Sequence, residues 1–368
     1  MIPNERNDYV ETIAPILYCF KIYGIIPMQL KIKHNNSKFL ASKSIAALTQ
    51  FIYLLNAAYN VVTLFEMVGN VGENFNLKML LAFAPQISLK FIVSIIPLGI
   101  WTKTSPLSDY WNKWKEFQTD FERISETEFD TKLKKTIRKI IIAATLFILM
   151  GEIIVQNYIP YDDNYVRFVS DYMNISIVYY LGAYWYINCI YTKSIAKEII
   201  SLAQKILTQN EHAGKLHEIT SLWITSCELM EQFYVIHSTL LLVYIIDTIV
   251  AMTIFAFICM NSSAFIDIYG VGIQLNGLFV CMFIIFLICE TAYSVFKQVV
   301  INQRKILLSE NLTRMNSSML QSILIFLEAI FVKNPGVSIK GYLTLNRSVF
   351  VSILAVCINY LIVLRQFQ

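Results

Sequence analysis

Seven apolar stretches, each long enough to cross a bilayer as a helix, leave this chain very few folds to choose from. They run Ile45–Phe65, Leu77–Trp101, Ile137–Val155, Phe168–Tyr191, Val235–Met260, Val271–Phe296 and Ser348–Phe367. In hydrocarbon a backbone satisfies its own hydrogen bonds only as helices or closed barrels, and stretches of this length read as helices. An all-α integral membrane protein with seven transmembrane helices is therefore expected. The 368 residues are 56% hydrophobic and 15% charged, outside the range of ordinary soluble domains.

No cleavable signal peptide is expected from the first residues. Positions 1–11 are polar, and the next apolar stretch, Ile13–Met28, is interrupted by Pro15, Lys21 and Pro27, so it reads as a short interfacial or packed helix rather than a cleavable signal. Basic residues sort the connections. Lys31, Lys33, Lys38 and Lys43 precede the first span, and Lys132, Lys134, Lys135, Arg138 and Lys139 crowd the second connection. Lys193, Lys197 and Lys205 occupy the fourth, and Lys297, Arg304, Lys305, Lys333 and Arg347 the sixth. The intervening connections are short and acidic or neutral. The positive-inside rule then places the N-terminus in the cytoplasm and the C-terminus outside. The modest net charge of +4 resides in these loops and indicates no nucleic-acid partner.

The expected organisation is a cytoplasmic N-terminal segment over residues 1–43, a six-span ligand-binding bundle over 44–297, a cytoplasmic anchor helix and turn over 298–346, and a seventh span over 347–368. Asp109–Glu128, with Trp111, Trp114, Phe117 and Phe121 at helical spacing, reads as an amphipathic helix, as do Ala196–Leu207 and Leu222–Phe233. With Leu320–Phe331 they are expected to form an inner platform where subunits meet. Seven cysteines show no spacing of a metal or disulfide framework, and no cofactor is expected. His34, His212, His217 and His237 form no intramembrane ligand cluster, which argues against an enzyme.

The last span carries a second pattern. Ser348, Ser352, Ala355, Asn359, Ile362 and Gln366 alternate steps of four and three and so share one helix face. A small and polar stripe in lipid either packs on another helix or lines water. Gly341-Tyr342-Leu343-Thr344-Leu345-Asn346, then Ser352-Ile353, and Asn359-Tyr360 followed after five residues by Gln366-Phe367, resemble the C-terminal signature of insect gustatory receptors. Two positions depart from it. Asn359 stands where Thr is usual, and Arg365 where a hydrophobic residue is usual.

The resemblance implies a homotetrameric, tastant-gated, non-selective cation channel in the plasma membrane of a sensory neuron, with the last helix of each subunit around a central pore. Gln366 and Phe367 would form the gate, with Ile362, Asn359 and Ser352 along the lumen. Arg365 lies about 100° from Gln366 on the helix and is expected to snorkel to the interface. Ligand candidates from the outward halves of the other spans are Phe83, Gln86, Glu152, Gln156, Asp171, Asn174, Tyr179, Asp247, Gln274 and Asn276. This mixture of aromatics, amides and carboxylates suits a sugar or a bitter plant compound. Lys90 and Asp247, at similar depth, are expected to pair.

Alternative readings are an odorant receptor subunit working with a co-receptor, or assembly with other gustatory receptors. A G-protein-coupled receptor would need the opposite orientation, and a transporter would need paired repeats that the sequence lacks.

Overall fold

The computed structural model describes residues 8–26, 28–33, 36–41, 43–73, 77–127, 129, 132–158, 165–209, 213–260, 268–309, 315–333, 335–339, 341 and 343–366. Within these, helices dominate. They are α1 (Asp8–Ile22), α2 (Lys43–Glu73), α3 (Leu77–Trp101), α4 (Thr104–Ser125), α5 (Lys134–Tyr158), α6 (Tyr165–Gln209), α7 (Ala213–Met260) and α8 (Ile268–Phe296). A six-residue π-helical turn, Lys297–Asn302, carries α8 into α9 (Gln303–Ser309), and α10 (Ser317–Lys333) and α11 (Arg347–Gln366) follow. Two antiparallel hairpins complete the list: β1 (Met28–Lys33) with β2 (Asn36–Ala41), and β3 (Ser338–Ile339) with β4 (Leu343–Thr344).

Each apolar stretch falls in a helix, within α2, α3, α5, α6, α7, α8 and α11, with Phe367 outside the described residues. Among the described residues, five helical segments combine length and hydropathy sufficient to cross a bilayer: Ala47–Glu66, Ala84–Trp101, Ala213–Met260, Gln274–Ser309 and Arg347–Gln366. Large apolar side chains face outward along α2 and α5, including Leu54, Leu55, Phe65, Leu146, Phe147 and Met150. In water such a surface would be a liability; in lipid it is solvated.

Two of the amphipathic segments extend the spans beside them. Ala196–Leu207 and Leu222–Phe233 are no separate elements but continuations of α6 and α7, which span 45 and 48 residues. The α4 helix begins and ends slightly earlier than its aromatic spacing indicates, and it buries Tyr110, Trp111, Trp114, Phe117 and Phe121 against the bundle.

Helix α1 belongs to this core rather than to an interface. Tyr9, Val10, Ile13, Ile16 and Phe20 are all buried. The Tyr9 ring stacks on Trp114 at 4.9 Å and meets Tyr191 edge-on at 4.8 Å. Its hydroxyl donates to Asn188 Oδ1 at 2.6 Å. Burial, with Tyr110 close by, pushes this phenol well above its usual range, so it stays a donor at any physiological pH. Outside the apolar seam, Lys134 of α5 binds Glu11 at 2.9 Å and Asp8 at 3.4 Å. This pattern of apolar residues with a flanking ion pair explains why a helix interrupted by Pro15 packs firmly.

The turn after α1 depends on one glycine. Gly24 has φ of +72°, and a Cβ there would lie 2.3 Å from the Thr49 carbonyl oxygen and 2.8 Å from Tyr53 Cβ on α2. Trp101 Nε1 donates to the carbonyls of Gly24 and Ile25 at 3.2 and 3.1 Å, closing the turn from α3. Gly24→Ala is expected to cost roughly 2–5 kcal/mol through left-handed strain and backbone collision. A thermal melt of purified protein checks this; an unchanged melting temperature would contradict the packing described.

The π-helical turn also has a visible partner. Such a turn leaves a carbonyl without its usual helical donor. Val299 O accepts from Trp223 Nε1 at 3.1 Å, and the same indole meets Phe326 of α10 at 5.8 Å, so α7, the turn and α10 lock together.

Candidate pore helix and bundle site

Helix α11 touches its own bundle along a narrow seam. Ile353 and Cys357 are its buried residues, packed toward α7 and α8, and Cys357 Sγ lies 4.0 Å from the Ile249 carbonyl. Phe350 meets Phe286 edge-on at 5.5 Å. At 100° per residue the stripe of Ser348, Ser352, Ala355, Asn359, Ile362 and Gln366 is centred roughly 180° from that seam. All six are exposed. Only 11% of this span is buried, against 28–50% for the other four crossing segments. Among the described residues its small and polar face packs on no other helix of the chain.

The foot of α11 is fixed in place. Arg347 forms a two-pronged ion pair with Glu290 of α8, at 2.7 Å for each prong, and stacks 4.5 Å over the Tyr293 ring. Asn346 caps the helix: its Oδ1 accepts from Val349 N at 3.0 Å and from Ser348 Oγ at 2.5 Å. Planar pairing of this kind holds orientation as well as position. Helix α11 and the bundle are therefore coupled through α8.

Inside the bundle the polar groups divide into satisfied and unsatisfied sets. Asn56 and Asn60 of α2 interlock with Ser170 and Asn174 of α6 through bonds of 2.8–3.2 Å, all four buried. Beside them Lys90 Nζ binds Asp171 Oδ1 at 3.0 Å, with the lysine only 3% exposed, and lies 5.9 Å over the Tyr59 ring. The expected pairing of Lys90 with Asp247 is therefore incorrect. Depth was matched but face was not. Ser88 lies beside Asp247, and Lys90, two residues further along α3, points about 200° away toward α6.

Asp247 belongs to the unsatisfied set. Among the described residues, its Oδ1, the Tyr244 hydroxyl and Gln274 Oε1 are buried without a hydrogen-bond partner. Tyr244 is within electrostatic reach of Cys281, Tyr179 and Asp247, which joins α6, α7 and α8 at one point. The Tyr179 ring extends this wall to Phe147 of α5, with centroids 6.2 Å apart. Buried donors and acceptors left open beside aromatic surface form an arrangement that a small polar ligand completes.

Of the residues singled out from sequence, Tyr179 and Asp247 come together, while Gln274 lies about two turns along α8 from Cys281. Asp171 and Asn174 are engaged by Lys90 and by the asparagine network. Gln86 is half-buried and Asn276 is exposed. The side chains of Phe83, Glu152 and Gln156 lie outside the described residues. Tyr244 and Ser88 escaped the sequence reading. The asparagine network carried a signal, since Asn56 and Asn60, and likewise Ser170 and Asn174, are spaced by four and share a face.

This architecture and the chain's relatives agree. The family model for the 7tm chemosensory receptor matches residues 13–368. Gustatory and odorant receptor 24 of Anopheles gambiae is 25% identical over 377 residues, spanning 100% of this chain and 80% of that protein. Gustatory and odorant receptor 21a of Drosophila melanogaster is 22% identical over 376 residues, spanning 99% and 82% respectively. The insect olfactory receptor OR5 from Machilis hrabei superposes with a TM-score of 0.71 at 14% identity, covering 98% of this chain and 99% of that one. Its complex with eugenol gives 0.72, again at 14% identity, covering 98% and 100%. With a family match over almost its whole length, the chain belongs to the 7tm chemosensory receptors, multi-pass membrane proteins and not enzymes.

Proposed function

We propose that this receptor is a tastant-gated, non-selective cation channel of four copies, each contributing α11 to one central pore. The observation that carries the reading is the stripe on α11, which faces directly away from the subunit's own bundle. A symmetric ring of four such helices gives every stripe residue three counterparts across an axis. Gln366, Asn359 and Ser352 would meet hydrated ions, and Ile362 with Phe367 would close the path by dewetting. The N-terminus and platform would lie in the cytoplasm, the C-terminus outside, and the protein in the plasma membrane of a sensory neuron.

The ligand would settle against Tyr179, Tyr244 and Asp247, where open hydrogen-bonding groups await a partner. Movement of α8 would reach the pore through Glu290 and Arg347. The Gln366-Phe367 ending favours taste, and the relatives' names cover both taste and smell. Sugars, bitter compounds and volatiles therefore belong in one screen.

The test is cation flux from liposomes holding only the purified receptor. An activating compound is expected to open the conductance without a co-receptor. Asp247→Asn should raise the half-activating concentration by roughly 10–100-fold, as expected when a buried polar contact is lost, while the maximal flux remains. A strictly monomeric protein, or liposomes silent to the whole screen, would overturn the reading.

A further inference from the structure

We propose a second ligand site, for an organic ammonium group, in the cavity at the foot of α11. The cavity holds about 660 Å³ between α7, the end of α8 and a strap leading from α10 into α11, whose described residues are 335–339, 341 and 343–346. That is the size of a small-molecule site. It lies at the platform end of the molecule, apart from Tyr179 and Asp247.

Few side chains set its chemistry. Tyr234, Tyr293 and Phe296 supply aromatic surface, and Glu231 supplies a carboxylate. Lys333 is the other charged residue of the lining, and its ammonium is held by Glu228 at 3.1 Å. Glu231 has no ion pair among the described residues, and the one described lysine of the lining is already held by Glu228. Tyr234 supplies the second observation. It is 6% exposed, it lines the cavity, and its hydroxyl makes no hydrogen bond among the described residues. Its ring adds aromatic surface beside the Glu231 carboxylate.

Aromatic faces with a single carboxylate fit a cation whose charge is spread over carbon-bound hydrogens, as in quaternary ammonium groups. They fit an inorganic divalent ion poorly, because such an ion requires several converging oxygens. The position of the cavity gives occupancy a consequence. Its outer wall is the strap, tied across by the bond from Leu345 N to Val337 O at 2.8 Å and turned at Gly341, whose φ is +76°. Asn346 ends the strap and caps α11, and Tyr293 carries Arg347 on its ring. An occupant therefore braces the joint through which α11 would move.

The ammonium group has two possible sources, the headgroup of a choline lipid or a soluble amine. The full-length protein in nanodiscs of phosphatidylglycerol, titrated with choline and with tetramethylammonium against equal sodium chloride, provides the test. A saturable rise in melting temperature is expected for both probes and not for sodium. Glu231→Gln, at an exposed position, should keep the unliganded melting temperature and weaken apparent affinity about tenfold. Repeating the titration in phosphatidylcholine separates the sources. A response suppressed there identifies the lipid headgroup, and an equal response identifies the soluble amine. No saturable response, or the same response in Glu231→Gln, overturns the site. Because the readout is binding, a receptor that carries no current leaves the result intact.

Discussion

Lys90→Met is expected to deplete the folded receptor, at a cost of about 3–5 kcal/mol, because it leaves the Asp171 carboxylate facing an apolar side chain inside the bundle. Against a typical total stability of about 5–15 kcal/mol, that is enough to lower surface abundance several-fold. The informative part is the rescue. Asp171→Asn in the same chain removes the charge that Lys90 neutralised and should return most of the loss, since replacing both members of a buried pair is far milder than removing one. Asp247→Asn in the Lys90→Met background should return nothing. Melting temperature and surface staining of the single and double variants decide between the two carboxylates. Recovery through Asp247 rather than Asp171 would contradict the pairing in the structure.

That contrast marks how far the sequence could be read. Length and hydropathy place every apolar stretch within a helix, because a helix in lipid is a one-dimensional requirement that 20 or so residues satisfy alone. Periodicity identifies faces, which is why the α11 stripe and the aromatic seam of α4 both lie where their spacing places them. Rotation of one helix against another is a different matter. Lys90 and Ser88 are two residues apart, yet one meets α6 and the other lies beside α7. Nothing in a single sequence states which neighbour stands on which side. The same gap hid Tyr244, which reads as one aromatic among many until α6 and α8 close around it. It also hid the clamp between Glu290 and Arg347, whose partners lie 57 positions apart. The π-helical turn is legible only afterwards, through the tryptophan that meets its carbonyl.

Cysteine substitution along α11 is expected to separate two opposite faces by their reaction with a charged, membrane-impermeant thiol reagent. Asn359→Cys and Ser352→Cys lie on the stripe and are exposed, while Ile353→Cys lies on the seam against α7 and α8. If four copies gather their stripes around water, reagent added during opening reaches positions 352 and 359, and a fixed charge there obstructs cation passage. Loss of at least about 90% of the ligand-evoked flux is expected at both, with Ile353→Cys at least tenfold slower to react, since a thiolate forms and meets reagent only where water reaches it. The native Cys357 provides an internal control, because it is buried on the seam and the unsubstituted receptor should stay insensitive. Lipid offers the contrasting outcome. A stripe facing acyl chains keeps both thiols protonated and away from the charged reagent, so unchanged flux at 352 and 359 would remove α11 from the conduction path. Asn359→Lys extends the argument, because a ring of four ammonium groups in a narrow lumen repels cations and should cut conductance at least tenfold, whereas on a lipid-facing or packed surface the same side chain can snorkel and leave the current alone.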